Sequence, residues 1–256
     1  MKYTVLSLFP ALFEAFFRLS IPAKAVERGL IQYQCINIRD CAEDKHRTCD
    51  DAPYGGGAGM LMKTGPLGRA LDSVGTKDKR VLYFSPAGRV LNQKMAEEFS
   101  REPELLLICG HYEGIDQRII DLFVDDEVSV GDYVLSSGES AALVFIDATF
   151  RLVADVINPD SLKEESFRNG LLEYPQYTRP EVYQGIPVPE VLMSGHHEKI
   201  RQWRIRKQIE KTVGVRPDLI ESGEFEPEIS ALIQEYRCER DKGNRKEPDK
   251  KGTGSV

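Results

Sequence analysis

Long hydrophobic runs are missing from this 256-residue chain. The densest, Leu105 to Cys109, falls far short of the roughly 20 residues that span a bilayer, which excludes a helical membrane protein. The apolar N-terminus, MKYTVLSLFPALFEAFF, has Lys2 as its one basic residue and is interrupted by Pro10 and Glu14. No small-residue cleavage site follows, so it reads as a strand and a helix, not a signal peptide. Cysteine is scarce: Cys35, Cys41, Cys49, Cys109 and Cys238 are an odd set without a CxxC pair. That argues against a disulfide framework or a zinc site and fits a cytoplasmic address. The four histidines lack ligand spacing, His196 and His197 being adjacent and the others far apart, so no metal site is expected. Nucleotide signatures fail as well. In the run Gly55-Gly56-Gly57-Ala58-Gly59, Met62 stands where a P-loop needs glycine before Lys63, and Met60 stands where GxGxxG needs its third glycine. The pattern argues against an ATPase and against a conventional NAD protein.

What is present is an ordinary globular composition, 41% hydrophobic and 29% charged, long enough for one large domain or two modest ones. Charge is uneven. The total is −7, all of it carried by residues 1–160, whereas residues 161–256 balance at zero. Within the second part, His196 to Arg216 holds seven Lys/Arg against two Glu. Such a segment is either a solvated helix face or a polyanion-binding one.

Strand-like and helix-like stretches alternate through the first part. Strands are expected at Tyr3–Phe9, Ile31–Ile38, Val81–Phe84, Leu105–Cys109 and Glu127–Val130. Helices are expected at Pro10–Gly29, Pro66–Val74, from an Asn92 cap to Ser100, at Ile115–Phe123 and at Glu139–Ile157. A polar, glycine-rich loop fills 39–64. The pattern specifies an α/β fold, a parallel sheet with helices on both faces. Residues 1–157 form this domain and 158–166 a linker. Residues 167–240 form a small, mostly α unit with helices near 197–212, 217–222 and 227–240. Residues 241–256 form a polar tail expected to be disordered.

Three consecutive strands end in glycine-punctuated loops: Ser85-Pro86-Ala87-Gly88, Gly110-His111-Tyr112-Glu113-Gly114, and Gly131-Asp132-Tyr133-Val134-Leu135-Ser136-Ser137-Gly138. Ligands of open α/β sheets bind beyond the strands' carboxyl ends, so these are either a binding cup of backbone amides or three ordinary turns. The Gly55–Gly59 run, flanked by Asp50, Asp51, Tyr54 and Lys63, is either a mobile loop or one that closes over a substrate. Glu113, Arg151, Glu164 and Glu165 are charges that the residue pattern alone leaves as surface groups.

The strings DDAPYGGGAGMLM, SPAGR, CGHYEGID, SVGDYVLSSGE, LLEYPQYTRPEV and LMSGHHEKIRQWR, in this order over about residues 1–240, resemble the bacterial tRNA (guanine-N1)-methyltransferases, which modify the guanine at position 37 beside the anticodon. The resemblance implies a SPOUT-type α/β domain whose C-terminal part is tied in a trefoil knot. It also implies a homodimer with active sites shared between subunits, and S-adenosyl-L-methionine held in the knot loops. Pro86, Gly110, Tyr112, Glu113, Gly114, Val130, Gly131, Asp132, Tyr133, Val134, Leu135, Ser137 and Gly138 become cofactor-site residues. The helical unit becomes the tRNA-binding domain. Whether Mg²⁺ takes part is left open.

Guanine N1 carries a proton at neutral pH, so attack on a sulfonium methyl needs a base at N1 and a cation or donor near O6. By the resemblance Arg151 serves O6, and Glu165, before Ser166-Phe167, stands where the family has its aspartate base. His111 replaces an arginine of the family pattern and Ser137 a glycine. If 197–212 is helical, Arg201, Arg204, Gln208 and Lys211 share one face, with Arg201, Arg204 and Lys211 expected on tRNA phosphates. Ile205, Ile209 and Val213 form a separate stripe. Two further readings stand beside this one: a SPOUT-like RNA-binding module without catalysis, and a methylase of a different RNA.

Overall fold

The computed structural model describes residues 1–244, which form two compact units, the second beginning at Asp160. The first holds strands β1 (Lys2–Ser7), β2 (Gln32–Asn37), β3 (Asp50–Asp51), β4 (Leu61–Met62), β5 (Arg80–Val90), β6 (Glu104–Ile108) and β7 (Asp126–Ser129). Its helices are α1 (Ala11–Phe17), α2 (Ser20–Glu27), α3 (Thr64–Val74), α4 (Gln93–Phe99), α5 (Gln117–Phe123) and α6 (Gly138–Phe150). Five strands form one sheet in the order β2-β1-β6-β5-β7, every pairing parallel.

Strand alternation divides the core. Tyr3 and Val5 of β1, Leu82 and Phe84 of β5, Leu105 and Leu107 of β6 and Val128 of β7 face one side. There they pack with Phe13, Phe17, Met95, Phe99 and Phe145 from α1, α4 and α6. Leu6, Val81, Tyr83, Leu106 and Ile108 face the other, against Leu67, Ala70 and Leu71 of α3 and Ile119 of α5. Burial on both faces is why these strands read as continuous apolar runs.

Several boundaries differ from those expected. Pro10–Gly29 is two helices, because Leu19 is extended and Ser20 adopts φ 51°. The 39–64 loop contains a short 3-10 turn (Ile38–Cys41) and the antiparallel pair β3–β4. The expected helix 139–157 stops at Phe150. Beyond it Leu152 and Val153 N–H bond back to Thr149 and Phe150 in tight turns, and Asp155 is left-handed at φ 66°. Arg151 is therefore the helix's C-cap and not a residue of its interior. Asn92 caps α4 as expected, its Oδ1 accepting from Met95 N at 3.0 Å.

The second unit contains α7 (Pro159–Lys163, which starts one residue earlier), a two-stranded hairpin β8–β9 (Val182–Tyr183, Ile186–Pro187), α8 (Glu190–Met193), α9 (His197–Val215), α10 (Pro217–Ser222) and α11 (Pro227–Asn244). The expected linker 158–166 thus carries a short helix. Ile209 and Val213 of α9 are buried with Leu171, Ile220 and Ile233, and Ile205 packs beside them. Helix α11 continues four residues into the stretch expected to be a disordered tail; residues 245–256 of that tail lie outside the described residues.

Candidate active site

The three glycine loops meet at the carboxyl ends of β5, β6 and β7, where they wall a cavity of about 280 Å³. Their meeting depends on positions that cannot bear a side chain. β5 pairs with β7 through Phe84, leaves the sheet for residues 85–88, and resumes at Arg89 opposite the same Val128. A Cβ on Gly88 would lie 2.5 Å from the backbone of Glu127 and Val128. Gly138 N donates to Gly110 O at 2.7 Å, and a Cβ there would sit 2.8 Å from Gly110 N. A Cβ on Gly110 would meet the Tyr83 ring at 2.8 Å. Backbone therefore lies on backbone at Gly88 and Gly138, and at Gly110 it lies against the Tyr83 ring, which leaves main-chain N–H and C=O groups open to a ligand.

Of the expected cofactor residues, Pro86, Gly110, Tyr112, Glu113, Gly114, Val130, Gly131, Tyr133, Val134, Leu135, Ser137 and Gly138 line this cavity. Asp132 does not: the turn around Gly131 (φ 146°) brings Tyr133 N–H to Gly131 O at 2.9 Å and leaves Asp132 outside the lining. Tyr83, Phe84, Val128 and Ser129 also line it, although as strand-end residues they read as core. His111 lines it too. Its ring stands edge-on to Tyr112 (centroids 4.7 Å) and against Phe9 (5.4 Å), and its Nδ1 is buried without a hydrogen-bond partner. Burial pushes the Tyr83 hydroxyl above the usual tyrosine range. Burial and then the Asp50 carboxylate do the same to Tyr112, whose hydroxyl lies between Asp50 and Arg39.

Beneath the third loop, Glu139 in the first turn of α6 is buried. Its Oε1 accepts from Ser7 Oγ at 2.7 Å, and Ser7 Oγ accepts from Phe9 N at 2.8 Å. This ties the end of β1 to the helix that follows the cup. Nothing in the spacing of residues 7 and 139 signals it. The Gly55–Gly59 run is not a detached loop either. Met60 O accepts from Glu113 N at 3.0 Å, and Met62 N donates to Gly114 O at 3.0 Å.

A family model described as tRNA (Guanine-1)-methyltransferase TrmD matches residues 1–222. The chain belongs to this family. Within it, the tRNA (guanine-N(1)-)-methyltransferase of Treponema denticola is 58% identical over 243 residues, covering 93% of this chain and all of the relative. That of Treponema pallidum is 55% identical over 243 residues, 93% of this chain and 97% of its own. That of Borrelia hermsii is 57% identical over 221 residues, 86% of this chain and 92% of its own. Membership makes the protein an enzyme of methyl transfer to tRNA guanine.

The two residues expected to carry the family's chemistry lie in different units. Arg151, half-buried, caps α6 in the first. Glu165, half-buried, follows α7 in the second, its carbonyl accepting from Arg168 N at 3.3 Å. Its neighbour Glu164 takes the hydroxyl of Tyr174 and the guanidinium of Arg204. The basic face of α9 is also engaged within its own unit. Arg201 pairs with Glu198 at 3.2 Å and Glu228 at 2.9 Å. Arg204 lies 4.7 Å over the Tyr174 ring, and Lys211 Nζ donates to Glu173 O at 3.1 Å. Among the described residues no helix is long and apolar enough to cross a membrane, and no three His, Cys, Asp or Glu gather as a metal site.

Proposed function

We propose that the protein transfers a methyl group from S-adenosyl-L-methionine to N1 of the guanine at tRNA position 37, acting in the cytoplasm as a homodimer whose subunits share each active site. The observation that carries this reading is the glycine-walled cup at the ends of β5, β6 and β7, in a chain of a tRNA methyltransferase family. The residues present fit the cofactor. Backbone donors and acceptors are exposed by glycine, Glu113 supplies a carboxylate for an ammonium group, and Tyr133, Val134 and Leu135 supply an apolar wall for a purine. In this reading the crossing of Gly138 over Gly110 belongs to a SPOUT-type trefoil knot. When bound, the cofactor supplies an electrophilic sulfonium methyl.

The chain's own groups perform the rest. Glu165 takes the proton from N1, placing a lone pair there, and Arg151 donates to O6 as negative charge develops on the guanine. Glu165 carries one methylene more than the aspartate of the family pattern, and its carboxylate is equally competent as a base. Arg201, Arg204 and Lys211 hold tRNA phosphates. The described residues gather no ligand set for Mg²⁺, and no step here uses one.

The test is methylation of tRNA transcripts with and without guanine at position 37, followed by mapping of the product base and repeated with and without a chelator. Methyl incorporation confined to N1 of that guanine is expected. Cofactor binding without transfer would leave an RNA-binding module, and incorporation into a different RNA would change the substrate.

A further inference from the structure

Tyr54 is completely exposed, the largest apolar-bodied side chain in the described residues to bury nothing. It contributes no packing to the fold, yet the two ends of the loop that carries it are tied down. Asp50, four residues before it, is a partner of the Tyr112 hydroxyl. After it, Gly59 is folded so closely on Glu113 that a Cβ there would overlap the Glu113 side chain. Met60 O and Met62 N then bond the backbone of Glu113 and Gly114. Lys63 Nζ reaches Asp51 at 3.6 Å across the base. Both feet of the Tyr54 loop therefore stand on the middle loop of the cavity. Between them Gly55, Gly56 and Gly57 all have positive φ and open space around the missing Cβ. Arg118, at the start of the helix that follows the middle loop, lies within electrostatic range of Tyr54.

We infer that Tyr54 is a stacking platform for an unpaired nucleobase of the RNA substrate at the mouth of the cavity. This deepens the methyl-transfer reading and rests on it. N1 lies on the Watson–Crick edge of guanine, so the reacting nucleotide must be unpaired and reached outside a continuous stack. The bases left without neighbours gain by stacking on an aromatic ring, a contact every base can make. A tyrosine on three glycines can follow the base without deforming the cavity. Arg118, paired with Asp116 at 2.7 Å and within electrostatic range of Tyr54, adds a cation to the surroundings of the ring.

The experiment measures tRNA affinity by fluorescence anisotropy, tRNA KM, cofactor affinity by calorimetry, and Tm for wild type and for Tyr54→Ala, Tyr54→Phe and Tyr54→Trp. Tyr54→Ala is expected to weaken tRNA binding and raise tRNA KM by about 5- to 150-fold, the worth of one base–aromatic stack. Cofactor affinity and Tm should stay at wild type, and Phe and Trp should restore RNA binding because they keep the ring. Unchanged tRNA binding in Tyr54→Ala overturns the inference. So does an equal loss of cofactor affinity, which would make Tyr54 a wall of the cofactor site. The anisotropy arm needs no turnover. If wild type binds tRNA without methylating it, the methyl-transfer reading fails while the role of Tyr54 is still decided.

Discussion

The first unit and the second prepare for their ligands in opposite ways. In the first, the cup takes its shape because Gly88 and Gly138 let main chain touch main chain and Gly110 leaves room for the Tyr83 ring. In the second, the surface proposed to face tRNA is made of long cations, and each of those singled out already has an acceptor in its own unit: Glu198 and Glu228 for Arg201, Glu164 for Arg204, Glu173 O for Lys211. A site made of backbone is preorganised before the ligand arrives. A site made of paired cations must exchange internal partners for phosphates, so its affinity depends on salt and on the strength of those pairs. Glu165 stands apart from both. It belongs to neither the cup nor the basic helix, and its removal should break the chemistry while leaving both binding surfaces intact.

That gives the largest expected effect. Glu165→Gln keeps size and hydrogen bonding but removes the proposed base, and should lower the single-turnover methyl-transfer rate by roughly 10²–10⁴-fold. Cofactor and tRNA affinities should hold within about twofold. Glu165→Asp should remain active. Glu164→Gln, which sequence alone treats as a silent neighbour, is not silent here. Glu164 anchors Tyr174 and Arg204, so this change should loosen the second unit and weaken tRNA binding while sparing the single-turnover rate at saturating tRNA. If Glu164→Gln abolishes turnover and Glu165→Gln does not, Glu164 is the base and the register of the family pattern is one residue out.

The next largest effect contrasts glycines of the two units. Gly138→Ala places a Cβ 2.8 Å from Gly110 N and 3.1 Å from Cys109 Cα, both main chain that cannot move without opening the cup. It should weaken cofactor binding by about 5- to 150-fold, the ~1–3 kcal/mol of an overpacked site. Gly131→Val should do the same through backbone strain, because Gly131 holds φ 146°. Gly214→Ala in α9 meets open space at an ordinary φ. It should leave cofactor binding untouched and raise thermal stability by up to about 1 kcal/mol. Equal behaviour of Gly138→Ala and Gly214→Ala in calorimetry would show that the cup is not built by close backbone approach.

This contrast also explains which parts of the molecule are legible in the sequence. The β1, β5, β6 and β7 segments carry buried apolar runs, and glycines punctuate the loops after the last three, so the sheet and the three loops that wall the cavity can be located without coordinates. That Asp132 falls outside the cavity lining is not legible, because a turn's interior and exterior share one composition. The end of α6 is overrun because Leu152, Val153, Val156 and Ile157 continue an apolar pattern, while the left-handed backbone at Asp155 leaves no compositional mark. The pairing of Ser7 with Glu139 spans 132 residues and is invisible for that reason. The basic segment is legible as charge but not as paired charge, since Glu164, Glu173 and Glu228 lie far from it in sequence.

The smallest effect tests that pairing. Arg201→Ala combined with Arg204→Ala should weaken tRNA binding and flatten the logarithmic salt dependence by up to about two, one for each phosphate no longer neutralised. The same change should lower the stability of the second unit slightly. Arg204 also lies over Tyr174, an interaction worth about 1 kcal/mol. The two readouts separate the roles. Arginines that leave their carboxylates for phosphates when tRNA docks move the salt slope; arginines that stay on Glu198, Glu228 and Glu164 move only the melting temperature. Lys199, on the same helix and without an ion pair among the described residues, is the comparison. Its replacement by Ala costs no internal partner, so any change in slope it produces reports a phosphate. A slope altered by Lys199→Ala and unaltered by the double arginine variant would move the RNA surface from the middle of α9 to its N-terminal end.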